Sequence, residues 1–191
     1  ANSLYSNDGS NNTINISTSN YPAYRMPRYN NLNTSARGTN TTTYQNIYSY
    51  GNYYTWHAAI ADLTYNGTNN NSVTSTSLCP TGWHLPYGGS STGEKGGNTS
   101  GGFYYLNQKM GQGTSSTDSN NWRSFPNNFL YSGLWYGSSA NSRGNGGDYW
   151  SSTARDTDGA YGLDLRSGYV YPGSSYDKNG GYSVRCLAPS E

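Results

Sequence analysis

Large rings, rather than branched aliphatic side chains, have to fill whatever core this chain builds. Tyrosine occurs 21 times and tryptophan 5 times in 191 residues, while only 32% of residues are hydrophobic. A simple composition rule would read such a chain, poor in Ile, Leu, Val and Phe, as disordered. The rings reverse that expectation, because each removes a large area from water while its hydroxyl or indole N–H finds a polar partner. The predicted core is therefore aromatic and well hydrogen-bonded. The length allows one domain with a long extension or two small domains. One core fits best, with 1–43 as an N-terminal extension or wrap and 44–191 as the domain.

Charged residues are 11% of the chain and the formal net charge is +1, so no global field draws it to nucleic acid or to an anionic membrane. No stretch approaches the roughly 18 to 20 apolar residues that span a bilayer. Ala1 opens no recognisable signal peptide, which reads as a mature or trimmed chain. Asn, Ser, Thr, Gly and Tyr dominate. Small side chains supply adaptable hydrogen bonding and Tyr supplies rigid contact area, the alphabet of antibody paratopes. The same composition is also ordinary for bacterial surface proteins.

Periodicity locates the elements. Tyr44 to Tyr54 reads as a strand and turn, and Thr55 stands at a cap position before a short helix that puts Trp56, Ala59, Ile60 and Leu63 on one face. Phe103, Leu106 and Met110 share a helical face, which predicts a second helix over about 102–111. Strands are expected near 129–136, 147–153, 159–166, 168–172 and 181–187, with Trp122, Phe129 and Trp135 among their anchors. The fold class is α+β.

Cys79 and Cys186, with no His or Cys at ligand spacing nearby, argue against zinc and for one disulfide. Two buried thiols in a reducing compartment are the alternative. A bridge implies an extracellular or cell-surface location.

Several short motifs stand in order: Tyr53-Tyr54-Thr55-Trp56, Cys79-Pro80-Thr81-Gly82-Trp83-His84-Leu85-Pro86, Tyr149-Trp150-Ser151-Ser152-Thr153 and Gly181-Tyr182-Ser183-Val184-Arg185-Cys186. Together they resemble the Fibrobacter succinogenes major paralogous domain family, over roughly residues 45 to 188. The resemblance implies a C-type-lectin-like fold of two short helices, small twisted antiparallel sheets and long loops, carried on bacterial surfaces. It also implies a Cys79–Cys186 bridge and a core containing Trp83, Leu85, Trp150, Leu163, Leu165 and Val184. The family's carboxylate early in the second helix is replaced here by Gly101-Gly102.

Alternation along Tyr161 to Arg166 turns Tyr161, Leu163 and Leu165 one way, and Gly162, Asp164 and Arg166 the other, which is the expected outer face. Val170 anchors the next ribbon, with Tyr169 and Tyr171 outward before a Pro172-Gly173 turn. Loop residues Arg155, Asp156, Asp158, Tyr176, Asp177 and Asn179 complete one candidate ligand-binding patch. Tyrosine beside arginine is the usual make-up of an interface hot spot. Taken singly, each residue is better read as part of a solvated sheet face, and the cluster is stronger than its members.

Enzymatic residues are not arranged in the sequence. His57 falls on the first helix and His84 inside the Cys79 motif, both structural positions, and bridged cysteines offer no thiolate. Asp156-Thr157-Asp158-Gly159 opens like a calcium loop but lacks the distal Glu. No cofactor, no metal and no catalytic role is expected. The sequence thus points to an adhesin-like domain that binds a protein or glycan on another cell surface. The alternative is a structural subunit of a filament or coat that self-assembles through residues 1–43.

Overall fold

Gly146 to Ala154 is the axis of the molecule: all nine residues of this strand are buried. The computed structural model describes residues 52–63, 65, 72–89, 100–111, 118–137 and 139–188, so the extension at 1–43 and most of the strand expected at 44–54 lie outside the described residues. Three short helices are described, α1 (Trp56–Ala59), α2 (Phe103–Lys109) and α3 (Asn120–Arg123). Two strands, β1 (Leu134–Tyr136) and β2 (Ser139–Asn141), form a small hairpin, while β3 (Gly146–Ala154), β4 (Gly159–Arg166) and β5 (Val170–Asp177) form an antiparallel sheet in that order. The architecture is α+β, with few short helices and small antiparallel sheets.

Side-chain alternation gives the sheet two buried faces. Tyr149, Leu163, Leu165 and Val170 pack with Phe103, Trp122, Phe129 and Tyr131 in one cluster. On the opposite face Trp150, Ala154 and Ala160 pack with Trp56, Ala59, Ile60, Leu85 and Tyr182 in another. The buried rings do find polar partners: the Trp56 indole donates to the Ser151 carbonyl at 2.8 Å, and that of Trp150 to the Tyr54 carbonyl at 2.7 Å.

A register shift between Trp150 and Ala154 leaves Ser151 to Thr153 outside the β3–β4 register, although the Ser151 hydroxyl still donates to the Tyr161 carbonyl at 2.7 Å. Their polar groups then hold the long segment upstream. Ser152 N–H donates to Pro86 O, Thr74 N–H to Ser152 O, and Gly88 N–H to the Thr153 hydroxyl. Tyr54 and Tyr182 exchange backbone hydrogen bonds at 2.8 and 2.9 Å, so residues near the two ends of the described region are neighbours. Cys79 and Cys186 are bonded to each other across 107 residues, with their Cα atoms 5.8 Å apart.

Several expectations are corrected. Leu63 is 37% exposed, because α1 ends at Ala59 and the chain turns through Ala61 at positive φ. Trp83 is 47% exposed rather than core, since His84 to Pro86 carry the inward positions of that segment. Trp122 anchors α3 rather than a strand. Pro172-Gly173 is not a turn. It lies inside β5, where the shift between Gly162 and Asp164 sets two residues opposite one, a bulge that accommodates a residue without an N–H. Gly173 is needed there, because a Cβ would come within 2.5 Å of the Gly89 carbonyl oxygen.

Candidate functional site

Burying an aspartate in the middle of a sheet requires a partner for its charge, and β3 buries Asp148 completely. Arg166, at the end of β4, supplies it: Nη1 donates to Oδ2 at 3.0 Å and Nη2 to Oδ1 at 3.1 Å. The Tyr176 hydroxyl adds a third bond to Oδ1 at 2.6 Å. Gly146 makes this packing feasible, since a Cβ there would lie 2.6 Å from Arg166 Cδ. Burial pushes the Asp148 carboxyl up, and the bonds from Arg166 and Tyr176 pull it back down. Burial, with Asp148 and Asp164 close by, pushes the Tyr176 phenol up.

Asp164 pairs across the sheet with Asp148 on one side and Tyr171 on the other. Its Oδ1 lies 3.0 Å from Arg166 Nη1, an ionic contact, and has no hydrogen-bond partner among the described residues. Burial, then the Asp148 charge, raise Asp164 to about 6 against the opposing pull of Arg166 and Tyr169. Above it the Tyr169 and Tyr171 rings meet at 4.9 Å, and they are 37% and 46% exposed.

The nine expected binding residues do not form one patch. Asp164, Arg166, Tyr169 and Tyr171 gather at one end of the sheet, while Arg155, Asp156, Asp158 and Asp177 gather at the other, roughly 20 Å away along β4. Gly162, Asp164 and Arg166 are also not an open face. Gly162 is buried, Asp164 and Arg166 are 16% and 21% exposed, and the same face carries Trp150 into a core. Tyr176, expected in a loop, belongs to β5 and turns inward, with its ring 5.9 Å from that of Trp150 and 4.5 Å from that of Tyr182. The bulge at Pro172-Gly173 shifts the alternation, so Tyr176 lies on the face of Gly162 and Asp164 instead of the face of Val170.

At the far end, Asp156 Oδ1 accepts from the Asp158 and Gly159 amides, and Arg155 donates to Asp156 Oδ2 and to Ser175 Oγ. The Arg155 bond chiefly holds the exposed Asp156 carboxyl below its ordinary value. The Lys178 ammonium donates to the carbonyls of Asp156 and Thr157 and sits 4.8 Å from the Trp56 ring centre. An internal ammonium thus uses the carbonyls of the loop that resembles a calcium site. Asp177 caps the turn beyond, its Oδ1 accepting from the Asn179 N–H.

His57 is buried against the Trp56 edge and burial lowers its pKa, while His84 stacks on Tyr87 at 5.5 Å. Among the described residues, no three of His, Cys, Asp and Glu are grouped to hold a metal. No described helix is long and apolar enough to cross a membrane.

Asp148 is the residue that sequence reasoning missed. The sequence signal was its place two residues from Trp150, on the same side of a strand, where a buried carboxylate needs a partner for its charge.

No family model, curated protein or solved structure matches the chain. The site's geometry alone therefore carries the functional reading.

Proposed function

We propose that this chain is an extracellular binding domain of the adhesin type, on a C-type-lectin-like scaffold, that recognises a protein or glycan on another cell surface. The observation that carries this reading is the ring pair. Tyr169 and Tyr171 touch each other and face solvent, while Val170 between them is fully buried. A ledge fixed in this way loses little conformational freedom on binding, which favours recognition. Across the strand from Tyr171 lies the polar network of Asp164, Arg166, Asp148 and Tyr176.

Two further features support the setting. A disulfide spanning most of the domain suits an oxidising compartment. Small antiparallel sheets, short helices and that bridge agree with what the resemblance to the Fibrobacter succinogenes major paralogous domain family implies. The filament reading rests on residues 1–43, which lie outside the described residues.

A protein and glycan array probed with the 191-residue chain and with Tyr169→Ala/Tyr171→Ala tests the proposal. The double variant should keep its thermal midpoint and lose the array signal at least ten-fold. Equal signals from both proteins would put recognition elsewhere.

A further inference from the structure

We infer that the Tyr169–Tyr171 ledge receives a cationic side chain, the ammonium of a lysine or the guanidinium of an arginine, presented by a partner protein. This rests on the reading that the ledge is the binding face, and it narrows the class of partner.

The argument is one of charge and shape. Two carboxylates, Asp148 and Asp164, share a single guanidinium, Arg166. Asp148 takes both ends of that guanidinium in hydrogen bonds, and a third from Tyr176, so its charge is satisfied inside the protein. Among the described residues Asp164 has the ionic contact with Arg166 and no hydrogen bond at Oδ1, and it is the negative excess of the cluster. Its cross-strand neighbour on the same face is Tyr171.

An excess carboxylate beneath two exposed, touching phenol rings offers a cation both a counter-charge and π faces. An anionic ligand, such as a sialylated or sulfated sugar, would be repelled by the same excess. A neutral sugar would find hydroxyl acceptors and ring faces there but, like an acetylated lysine, would have no use for the counter-charge.

The groups facing Asp164 are Asp148 from β3, Arg166 from its own strand, and Tyr169, Tyr171 and Tyr176 from β5 and the turn before it. A bound cation stabilises the ionised form of Asp164. Proton and cation therefore compete, and affinity falls as the pH drops through the range in which Asp164 takes up its proton, near 6.

The test is a chemical-shift titration of the full chain with Nα-acetyl-lysine-methylamide, with its Nε-acetylated neutral counterpart as control. The amine should bind with millimolar affinity and shift the signals of Tyr169 and Tyr171, and the acetylated form should not. Binding should weaken about ten-fold between pH 7.5 and pH 5, and about ten-fold in Asp164→Asn at pH 7.5. Asn keeps the size of the side chain, and an unchanged spectrum for the core tryptophans would certify its fold. Equal shifts from both compounds, no shift from either, or an amine response that survives in Asp164→Asn would each overturn the inference. If the amine fails while Tyr169→Ala/Tyr171→Ala still abolishes the array signal, the binding face stands and only the cationic partner falls.

Discussion

Asp148 and Arg166 make a pair whose value depends on both being present. Removing the arginine strands a carboxylate that is wholly out of water, and breaking such a pair costs about 3 to 5 kcal/mol. Urea unfolding of Arg166→Met should show a loss of that size. Asp148→Asn/Arg166→Met should recover part of it, because the stranded charge is gone. Asp164 predicts the opposite sign from an ordinary salt-bridged acid. Its folded pKa, about 6, lies above its unfolded value, so the folded chain binds more protons in between. Stability attributable to Asp164 is complete at low pH and is lost as pH rises through that window. Asp164→Asn should remove a fall on the order of 2 kcal/mol between about pH 4 and pH 6.5, seen as the difference between the two proteins' midpoints. Alternation in the sequence put Asp164 and Arg166 on one face correctly. It could not show that face to be largely covered, because coverage comes from Tyr176 and from the cluster around Trp150, distant in sequence.

β3 and β4 were legible nearly residue for residue, β4 through its alternation and β3 through its Tyr149-Trp150 anchors between turn residues. The same pattern failed on β5, where Pro172-Gly173 carries the composition of a turn and the position of a bulge. α1 was legible through its cap, and the Ala58 amide does donate to Thr55 Oγ1 at 3.3 Å. α3 was not, because four residues complete little more than one turn and show no period. Close contact between β3 and β4 depends on Gly162. A Cβ there would stand 2.5 Å from the Tyr149 carbonyl oxygen and 3.0 Å from the Tyr176 ring. Gly162→Ala should cost about 1 to 3 kcal/mol by thermal or urea unfolding and should slacken the Tyr176–Asp148 bond. A neutral result would mean that the strands part without penalty.

Two aromatic clusters on opposite faces of one sheet, closed by a link between Cys79 and Cys186, account for how so few aliphatic residues fold. The rings announced such a core in the composition. Its division into two layers was not announced, since it depends on which strand stands at the centre. In the chain-entropy description, a cross-link over 107 residues contributes about 5 kcal/mol. Cys79→Ser/Cys186→Ser should lower the unfolding free energy by that order, measured against the oxidised protein in urea. Neither Tyr169 nor Tyr171 belongs to either cluster, although Val170 between them does. Mutational drift at those two positions is thereby insulated from foldability. If the ledge is the binding face proposed above, its specificity can be rewritten there, letter by letter, while the interior stays as it is.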